Sequence, residues 1–385
     1  MRHPNAGADR VVTRRALPEL AAVFLRLGVT AFGGPAAHVA LMESELVRRR
    51  RWLTHERFLD LFGAANLIPG PSSSELALFI GYESAGLLGL LVAGLCFILP
   101  AALLAGGLAW VYVRFGALPQ VTGLLYGVKP VIIALVLQAL WGLTPRALKT
   151  RVLFAIALVA VVASAAGMSA LLVLLGAGSL ALLTRHGSSR LTTVPVVGGF
   201  WAAVAGSSAP SVTKAGVFAV FLKMGAVVFG SGYVLLAFLR EDLVHRLHWL
   251  SERKLLDAVA VGQVTPGPVF TTATFIGYVL AGPAGACLAT VGIFLPGFIF
   301  VAFSRPLLGL LRRSPTTAAF LDGVNAAALA LMAVVSAQLA RAALIDTLTV
   351  AIALIAGLLL IKYKTNSAWL ILGSALLGVL RVALN

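Results

Sequence analysis

Residues 66–82 read NLIPGPSSSELALFIGY, with a Pro-Gly-Pro break and three serines inside an otherwise apolar run. Proline and glycine both interrupt a helix, so the stretch predicts a helix that restarts after Pro71. The first N–H groups of a restarting helix lack intrahelical partners and carry the positive end of its dipole. The hydroxyls of Ser72 and Ser73 add donors, which predicts a socket for an anion. The alternative is a kink whose hydroxyls bond to carbonyls of the preceding turn.

A second copy of this stretch lies at residues 263–278, which read QVTPGPVFTTATFIGY. The upstream sequence VFLRLGVTAFGG at 23–34 likewise returns as VFLKMGAVVFGS at 220–231, at an offset of 197 residues. After the Pro-Gly-Pro motif the offset becomes 196. Self-similarity at a fixed spacing indicates a duplicated unit. We therefore predict a first repeat at 1–190, a linker at 191–212 and a second repeat at 213–385.

The composition indicates a membrane protein. Hydrophobic residues make up 60% of the 385 positions and charged residues 11%, whereas soluble domains carry about 25% charged residues. Residues 86–113, 152–184 and 258–304 contain no charged side chain. A transmembrane helix needs about 20 apolar residues. These runs predict an all-α polytopic membrane protein, with the lipid bilayer as its partner.

The net charge of +16 lies in clusters between the apolar runs, as in cytoplasmic loops that follow the positive-inside rule. Because no basic stripe is interleaved with stacking aromatics, we expect no nucleic-acid partner. The two cysteines, Cys96 and Cys287, lie within apolar runs and indicate packing residues. Motifs for nucleotide, metal or nucleophilic chemistry are missing from the sequence, so we expect no cofactor, no metal and no enzymatic activity.

Each half contains six apolar segments, which in the first half lie at 17–42, 58–82, 86–113, 117–143, 152–167 and 169–184. Breaks at 32–35 and 69–71 interrupt the first two segments. We predict five to six transmembrane segments per half, with broken or re-entrant helices, because breaks at matching places in two repeats are typical of a transport site near the membrane midplane. Parallel repeats are the alternative to inverted ones. We favour inversion because it lets two equivalent motifs approach one site from opposite faces.

The candidate substrate-binding residues lie at these breaks, at matched polar positions beside them and at cations within apolar segments. Arg26 and Lys223 occupy equivalent positions, and intramembrane cations are usually functional, although snorkelling to the interface is the alternative. The repeat equivalent of Lys129 is the uncharged Asn325, so Lys129 would supply positive charge to only one side of the anion site. Glu75 is a candidate for proton coupling or, alternatively, caps the restarting helix. The candidates at the breaks are Phe32, Gly33, Gly34, Asn66, Pro69, Gly70, Pro71, Ser72 and Ser73 in the first half, and Phe229, Gly230, Ser231, Gln263, Pro266, Gly267, Pro268 and Thr271 in the second.

These motifs resemble those of the two-domain chromate ion transporters. The resemblance rests on FGGP at 32–35, RWLT at 51–54 followed by Phe58 and Asp60, NLIPGP at 66–71, and QVTPGP at 263–268 followed by FIGY. It implies efflux of chromate from a bacterial cytoplasm, with sulfate as structural analogue, and places the functional positions at 32–34, 69–71 and 266–268. The second copy reads FGSG where the first reads FGGP, which leaves the halves unequal.

The combined prediction is a secondary transporter of the bacterial inner membrane that exports chromate by alternating access at a midplane anion site. Uptake or exchange of sulfate or another oxyanion is an alternative. A membrane-embedded enzyme would need a nucleophile or metal cluster, and a chromate reductase would need a redox cofactor site. A non-transporting sensor would move no anion. A homodimer is a further expectation.

Overall fold

The computed structural model of the chain describes residues 16–32, 34–116, 118–186, 211–229, 234–313, 315–363 and 365–384. Every regular element in these ranges is helical, which confirms the prediction of an all-α protein. Residues 191–210 of the predicted linker lie outside the described residues, and the predicted repeat boundaries stay predictions.

In the first half, the first two described helices are separated by a break, and a short third helix precedes Pro-Gly-Pro. The described helices of this half are α1 (Leu17–Thr30), α2 (Gly34–Glu43, continued as a π-helical turn over Ser44–Arg49), α3 (His55–Ala65), α4 (Ser72–Phe115), α5 (Pro119–Ala147), α6 (Arg151–Ala165) and α7 (Ala170–His186).

The described helices of the second half follow in the same order. They are α8 (Lys214–Val227), α9 (Leu235–Leu239, continued as a π-helical turn over Arg240–Arg246), α10 (Glu252–Val264), α11 (Thr272–Arg313, preceded by a 3-10 turn over Val269–Thr271), α12 (Pro315–Ala343), α13 (Thr347–Lys362) and α14 (Ser367–Leu384). The π-helical turns and the long fourth helices recur at matching places, so the repeat in sequence is a repeat in structure.

The short helices α3 and α10 start at equivalent N-caps. Thr54 Oγ1 accepts a hydrogen bond from the Arg57 N–H, and Ser251 Oγ accepts one from the Lys254 N–H. A hydroxyl at the N-cap satisfies one of the N–H groups that a helix leaves without a partner. These caps set where α3 and α10 begin, and therefore where their last turns deliver the Pro-Gly-Pro loops.

Helices α4 and α11 are each a helical hairpin rather than one long helix. Gly86 and Gly282 have φ of 63° and 65°, in the left-handed region that favours glycine. In α11, Thr274 Oγ1 and Thr290 Oγ1 lie 2.7 Å apart, whereas 16 residues of straight helix would separate them by about 24 Å. In α4, a Cβ built on Gly81 would lie 2.5 Å from the Ala93 Cβ. The chain therefore reverses at Gly86 and Gly282.

The two halves interlock. Helix α5 of the first half packs against α13 and α14 of the second, while α12 packs against α6 and α7. The helices approach closely through glycine, since a Cβ on Gly127 would overlap the Ser374 carbonyl oxygen and one on Gly323 would overlap that of Ala177. Small residues permit such backbone contact between membrane helices. The repeats are thus units of sequence whose helices pack across the boundary between the two halves.

Five described helical segments are long and apolar enough to cross a membrane: Ser72–Phe115, Pro119–Ala147, Val269–Ser304, Thr316–Ala343 and Ser367–Leu384. Shorter apolar helices span Arg151–Ala165, Ala170–Thr184 and Thr347–Lys362. The protein is therefore a multi-pass membrane protein. The predicted segment 58–82 is divided between α3 and the first limb of the α4 hairpin, with Pro-Gly-Pro between them.

Candidate functional site

The two Pro-Gly-Pro loops meet the broken helices of the opposite half. The Gly70 N–H donates to the Val228 carbonyl oxygen at 2.7 Å, and the Gly267 N–H donates to the Ala31 carbonyl oxygen at 2.8 Å. Val228 and Ala31 directly follow the last residues of α8 and α1. Because each contact is the repeat equivalent of the other, the structure has an approximate two-fold relation at its centre.

Both loop glycines are required by their backbone geometry. Gly70 has φ of 132° and Gly267 has φ of 90°, which side chains disfavour. A Cβ on Gly70 would overlap Oε1 of Glu75, and one on Gly267 would lie 2.7 Å from the Ala101 Cβ. The prediction that the restarting helices follow Pro71 and Pro268 is confirmed, with α4 beginning at Ser72 and the 3-10 turn at Val269.

At the start of α4, four consecutive polar side chains are buried. They are Ser72, Ser73, Ser74 and Glu75, each less than 9% exposed. Ser73 Oγ lies 3.3 Å from His38 Nδ1 of α2, whereas Ser74 Oγ and both Glu75 carboxyl oxygens have no hydrogen-bond partner among the described residues. A buried polar atom without a hydrogen-bond partner costs free energy. These unpaired atoms therefore indicate a ligand-binding site at the start of α4.

The second helix start is different in chemistry. Val269 and Phe270 replace the first two serines. Thr271 Oγ1 donates to the Pro268 carbonyl oxygen at 2.8 Å, and Thr272 Oγ1 donates to that of Val269 at 2.7 Å. These hydroxyls follow the alternative of bonding to the preceding turn. The two helix starts are therefore unequal, and the buried hydroxyl without a partner, that of Ser74, lies in the first half.

The matched polar residues Asn66 and Gln263 also differ. Asn66 is exposed and its Nδ2 donates to the Phe62 carbonyl oxygen at 2.9 Å, which terminates α3. Gln263 Nε2 is buried and has no hydrogen-bond partner among the described residues. Of these two amides, the Gln263 side chain therefore has a buried N–H donor that is free to bind a ligand, and the Asn66 side chain does not.

The cations of α1 and α8 are held by carboxylates of the π-helical turns. Lys223 Nζ lies 3.0 Å from both carboxyl oxygens of Asp242, a buried residue. Arg26, with 57% of its side chain exposed, lies 4.0 Å from Glu45. Hydrogen bonding from Arg50 holds the pKa of the Glu45 carboxyl below its usual value. Glu45 and Asp242 are repeat equivalents, so the cation and its carboxylate were duplicated together.

Lys129 has a buried partner from the other half. Its Nζ lies 2.7 Å from Asp257 Oδ1 of α10, and Tyr112 Oη donates to Asp257 Oδ2 at 2.8 Å. The equivalent Asp60 in the first half is exposed and lies 3.8 Å from Arg57. The helix before the second Pro-Gly-Pro is thus tied to the first half by a buried charge, whereas the equivalent aspartate of the first half is exposed.

The phenylalanine motif is described in part. Phe32 is exposed and Phe229 is half-buried, directly after the carbonyls that accept the bonds from the Pro-Gly-Pro loops. Gly34 begins α2 with φ of 80°. Gly33, Gly230 and Ser231 lie outside the described residues.

Sequence reasoning missed three partners of the site: His38, Asp242 and Asp257. His38 aligns with Leu235 in the second repeat, so a comparison of the two repeats does not identify His38 as a site residue. The offset of 197 does align Glu45 with Asp242, and this match of acids could have identified them as partners for Arg26 and Lys223. Among the described residues, no cluster of three or more histidine, cysteine, aspartate and glutamate side chains could hold a metal ion.

Comparisons with known proteins agree with this architecture. The family model described as chromate transporter matches twice, at residues 18–182 and 215–379. A chromate transport protein of Cupriavidus metallidurans is 35% identical over 97% of this chain and 95% of its own length. A second, from Pseudomonas aeruginosa, is 33% identical over 97% of this chain and 94% of its own. An uncharacterized transporter of Methanocaldococcus jannaschii is 24% identical over 93% of this chain and 92% of its own. No solved structure matches. With two copies of the family model covering most of its length, the chain belongs to the chromate transporter family.

Proposed function

We propose that this protein exports chromate across the bacterial inner membrane by alternating access around the two Pro-Gly-Pro loops. The observation that carries the proposal is the pair of reciprocal bonds, Gly70 to Val228 and Gly267 to Ala31. Each bond joins a broken helix of one half to the loop of the other. Opening one bond while the other holds would expose the centre to one side of the membrane at a time.

The family supports the class of function and the substrate. Members of the chromate transporter family are transporters, so this chain is a transporter and not an enzyme. Two relatives that match over nearly their whole length are named chromate transport proteins. We infer the same substrate here. Sulfate, a tetrahedral dianion of similar size, is the natural competitor.

We assign direct contact with the anion to the start of α4. Its first N–H groups carry the positive end of the helix dipole, and Ser74 Oγ is a buried donor without a partner. Gln263 Nε2 is a second such donor. The charges of Lys129 and Lys223 are offset by carboxylates, so their proposed part is to attract the anion and not to bind it alone. The remaining predicted residues of the breaks shape the loops.

Helix packing supports inverted repeats. A Cβ on Gly94 would lie 2.5 Å from Phe298, whose repeat equivalent is Ala102. If two equivalent helices are parallel and related by a two-fold axis, each residue at their contact meets its own repeat equivalent. If they are antiparallel, a residue on one side of the crossing point meets the equivalent of a residue on the other side. The offset between 94 and 102 therefore favours antiparallel second limbs of α4 and α11, with the axis in the membrane plane.

The hairpins support re-entrant segments. The first limb of α4, residues 72–84, is about 13 residues and about 20 Å long, shorter than the roughly 30 Å hydrocarbon core. The second limb reaches Phe115 and is long enough to cross. A half-length limb whose N-terminus is buried in the protein is the arrangement by which broken backbone is accommodated at membrane depth.

The membrane potential supplies the driving force for export. Moving one charge across 100 mV corresponds to about 2.3 kcal/mol, so an anion leaves a negative-inside cell down its electrical gradient. No nucleotide site is needed for this direction.

Chromate flux in proteoliposomes tests the proposal. We expect an imposed potential to drive chromate through the purified protein, sulfate to compete, and replacement of Pro69, Gly70 and Pro71 by alanine to abolish the flux. Sulfate movement without chromate movement would overturn the substrate. If neither anion moves through folded protein, the transport proposal itself fails.

A further inference from the structure

Glu75 is a buried acid to which the proposed anion site assigns no role. Its side chain is fully buried, and neither carboxyl oxygen has a hydrogen-bond partner among the described residues. Gly70 and Gly297 lie beside its carboxyl group, and neither residue has a polar side chain. Because the side chain is buried and no cation among the described residues pairs with it, the ionised form of this carboxyl is strongly disfavoured.

The position of Glu75 adds a second constraint. It lies in the first turn of α4, one residue after Ser74, at the helix start to which we assign the anion. A carboxylate and an oxyanion within one helical turn repel each other strongly in a site without water. The anion and an ionised Glu75 therefore exclude each other, whereas the anion and a protonated Glu75 are compatible.

Charged groups of the described helices around α4 do not relieve this constraint, because they pair with other residues or are exposed. The titratable group from α2 is His38, which pairs with Ser73 and leaves the Glu75 oxygens without a donor. Of the charged residues of α1, α3 and α10, Arg26 pairs with Glu45, Arg57 with Glu83, and Asp257 with Lys129 of α5. The others either pair elsewhere, as Glu19, His55, Asp60 and Glu252 do, or are exposed, as Glu56, Arg253 and Lys254 are.

We propose that the transporter carries one proton together with each oxyanion, held on the carboxyl of Glu75. Binding of the proton and binding of the anion favour each other, and reciprocal coupling of this sign gives cotransport and not exchange. A dianion then crosses with a net charge of −1. The inference rests on the proposed function and specifies its coupling ion and stoichiometry.

Protonation of the Glu75 carboxyl can also affect the contact between the two halves. Its Oε1 occupies the space that a side chain on Gly70 would need, and the Gly70 N–H is bonded to Val228. Proton release from Glu75 would place a charge against the loop that holds the two halves together. This contact gives a physical route from proton binding to the opening of one bond.

The experiment measures charge and proton coupling of chromate in proteoliposomes at alkaline pH, where chromate in solution is a dianion. With equal pH on both sides, a net charge of −1 predicts roughly 50-fold accumulation per 100 mV, whereas an uncoupled dianion predicts roughly 2,400-fold. With the potential clamped at zero, cotransport of one proton predicts tenfold accumulation on the alkaline side per pH unit.

Variants identify the carrier of the proton. Glu75→Gln is expected to abolish accumulation in the pH gradient, and Glu56→Gln, an exposed residue of α3, is the matched control that keeps it. Three results would overturn the inference: a 2,400-fold response, accumulation on the acidic side or along a sodium gradient, or a tenfold response that persists in Glu75→Gln. If Glu75→Gln does not fold, the wild-type stoichiometry still decides whether one proton crosses with each anion. Absence of all chromate movement in the wild type would instead overturn the proposed function.

Discussion

At the scale of single residues, glycines decide how closely the broken helices approach their neighbours. A Cβ on Gly28 of α1 would lie 2.7 Å from the Phe97 carbonyl oxygen, and one on the equivalent Gly225 of α8 would overlap that of Ile293. These are backbone contacts, which cannot rotate away as a flexible side chain can. They position Ala31 and Val228, the acceptors of the central bonds, against the second limbs of α4 and α11.

Gly28→Ala should therefore destabilise the protein by about 1–3 kcal/mol, the usual cost of overpacking, and weaken transport by displacing α1. Gly107→Ala is the control, because it lies in α4 with nothing within 4 Å of the added Cβ, and helix propensity favours alanine there. Unfolding of the purified variants in detergent would measure both. Equal stability of the two variants would contradict this account of Gly28.

A second prediction at residue scale concerns the buried pair Lys129–Asp257. Lys129→Ala leaves Asp257 buried without its cation, and loss of one partner of a buried pair costs about 3–5 kcal/mol. The exposed pair Lys149–Asp322 is the control, and Lys149→Ala should cost at most about 1 kcal/mol. Free energies of unfolding of the two variants would be compared. A Lys129→Ala protein as stable as Lys149→Ala would show that Asp257 is neutral or hydrated.

At the scale of elements, the hairpins place a half-length limb and a long limb side by side. The reversal needs a glycine with positive φ at Gly86 and Gly282, and close approach at Gly81 and Gly89. In the second half, the Thr274–Thr290 hydroxyl contact joins the limbs. The loop glycines Gly70 and Gly267 are buried where they bond to the opposite half.

A disulfide tests the hairpin. With Cys96 and Cys287 replaced by alanine, the double variant Thr274→Cys, Thr290→Cys should oxidise to an intramolecular disulfide, because these side chains touch. Ala319→Cys with Val335→Cys, at the same spacing in α12, is the control, since about 24 Å of helix separates them. Mass spectrometry of oxidised protein would detect the link. Failure of the first pair to cross-link would favour a straight α11.

At the scale of the whole molecule, the repeats depend on one another. Helix α5 has its packing partners in the second half and α12 has its partners in the first. Polar contacts follow the same pattern, since Tyr126 of α5 donates to Asp346 at the start of α13. A single repeat would leave these surfaces without partners.

We therefore expect residues 1–190 and 191–385, expressed separately, to aggregate or be degraded, and the two expressed together to co-purify as a complex. Pull-down through a tag on one half, followed by size-exclusion chromatography, would measure this. A monodisperse, helical first half on its own would show that the interlocked packing is not required for folding.

Inversion is also a prediction about the whole molecule. Glu56 and Arg253 are exposed, equivalent positions at the starts of α3 and α10. In the background without native cysteines, Glu56→Cys and Arg253→Cys should react with an impermeant thiol reagent from opposite sides of the membrane. Labelling of right-side-out and inside-out vesicles measures this, and labelling of both from the same side would indicate parallel repeats.

Much of the architecture was predictable from sequence because it follows from local rules. The apolar runs indicated an all-α membrane protein, the internal repeat indicated equivalent halves, and Pro-Gly-Pro indicated where α4 and the turn before α11 restart. Each depends on side-chain hydrophobicity or on backbone constraints within a few residues. The family resemblance drawn from these motifs was confirmed by the comparisons.

The tertiary structure decided what the sequence could not: which chemically similar groups are satisfied. Ser74 and Thr271 follow Pro-Gly-Pro alike, yet only Thr271 bonds to the preceding turn. Lys129 and Glu75 both lie in apolar runs, yet the lysine has a carboxylate from the other half and the glutamate has no partner. The partner of Lys129 lies about 130 residues away along the chain, so only the tertiary structure brings the two together. Burial raises the free-energy cost of every polar group that is left without a partner.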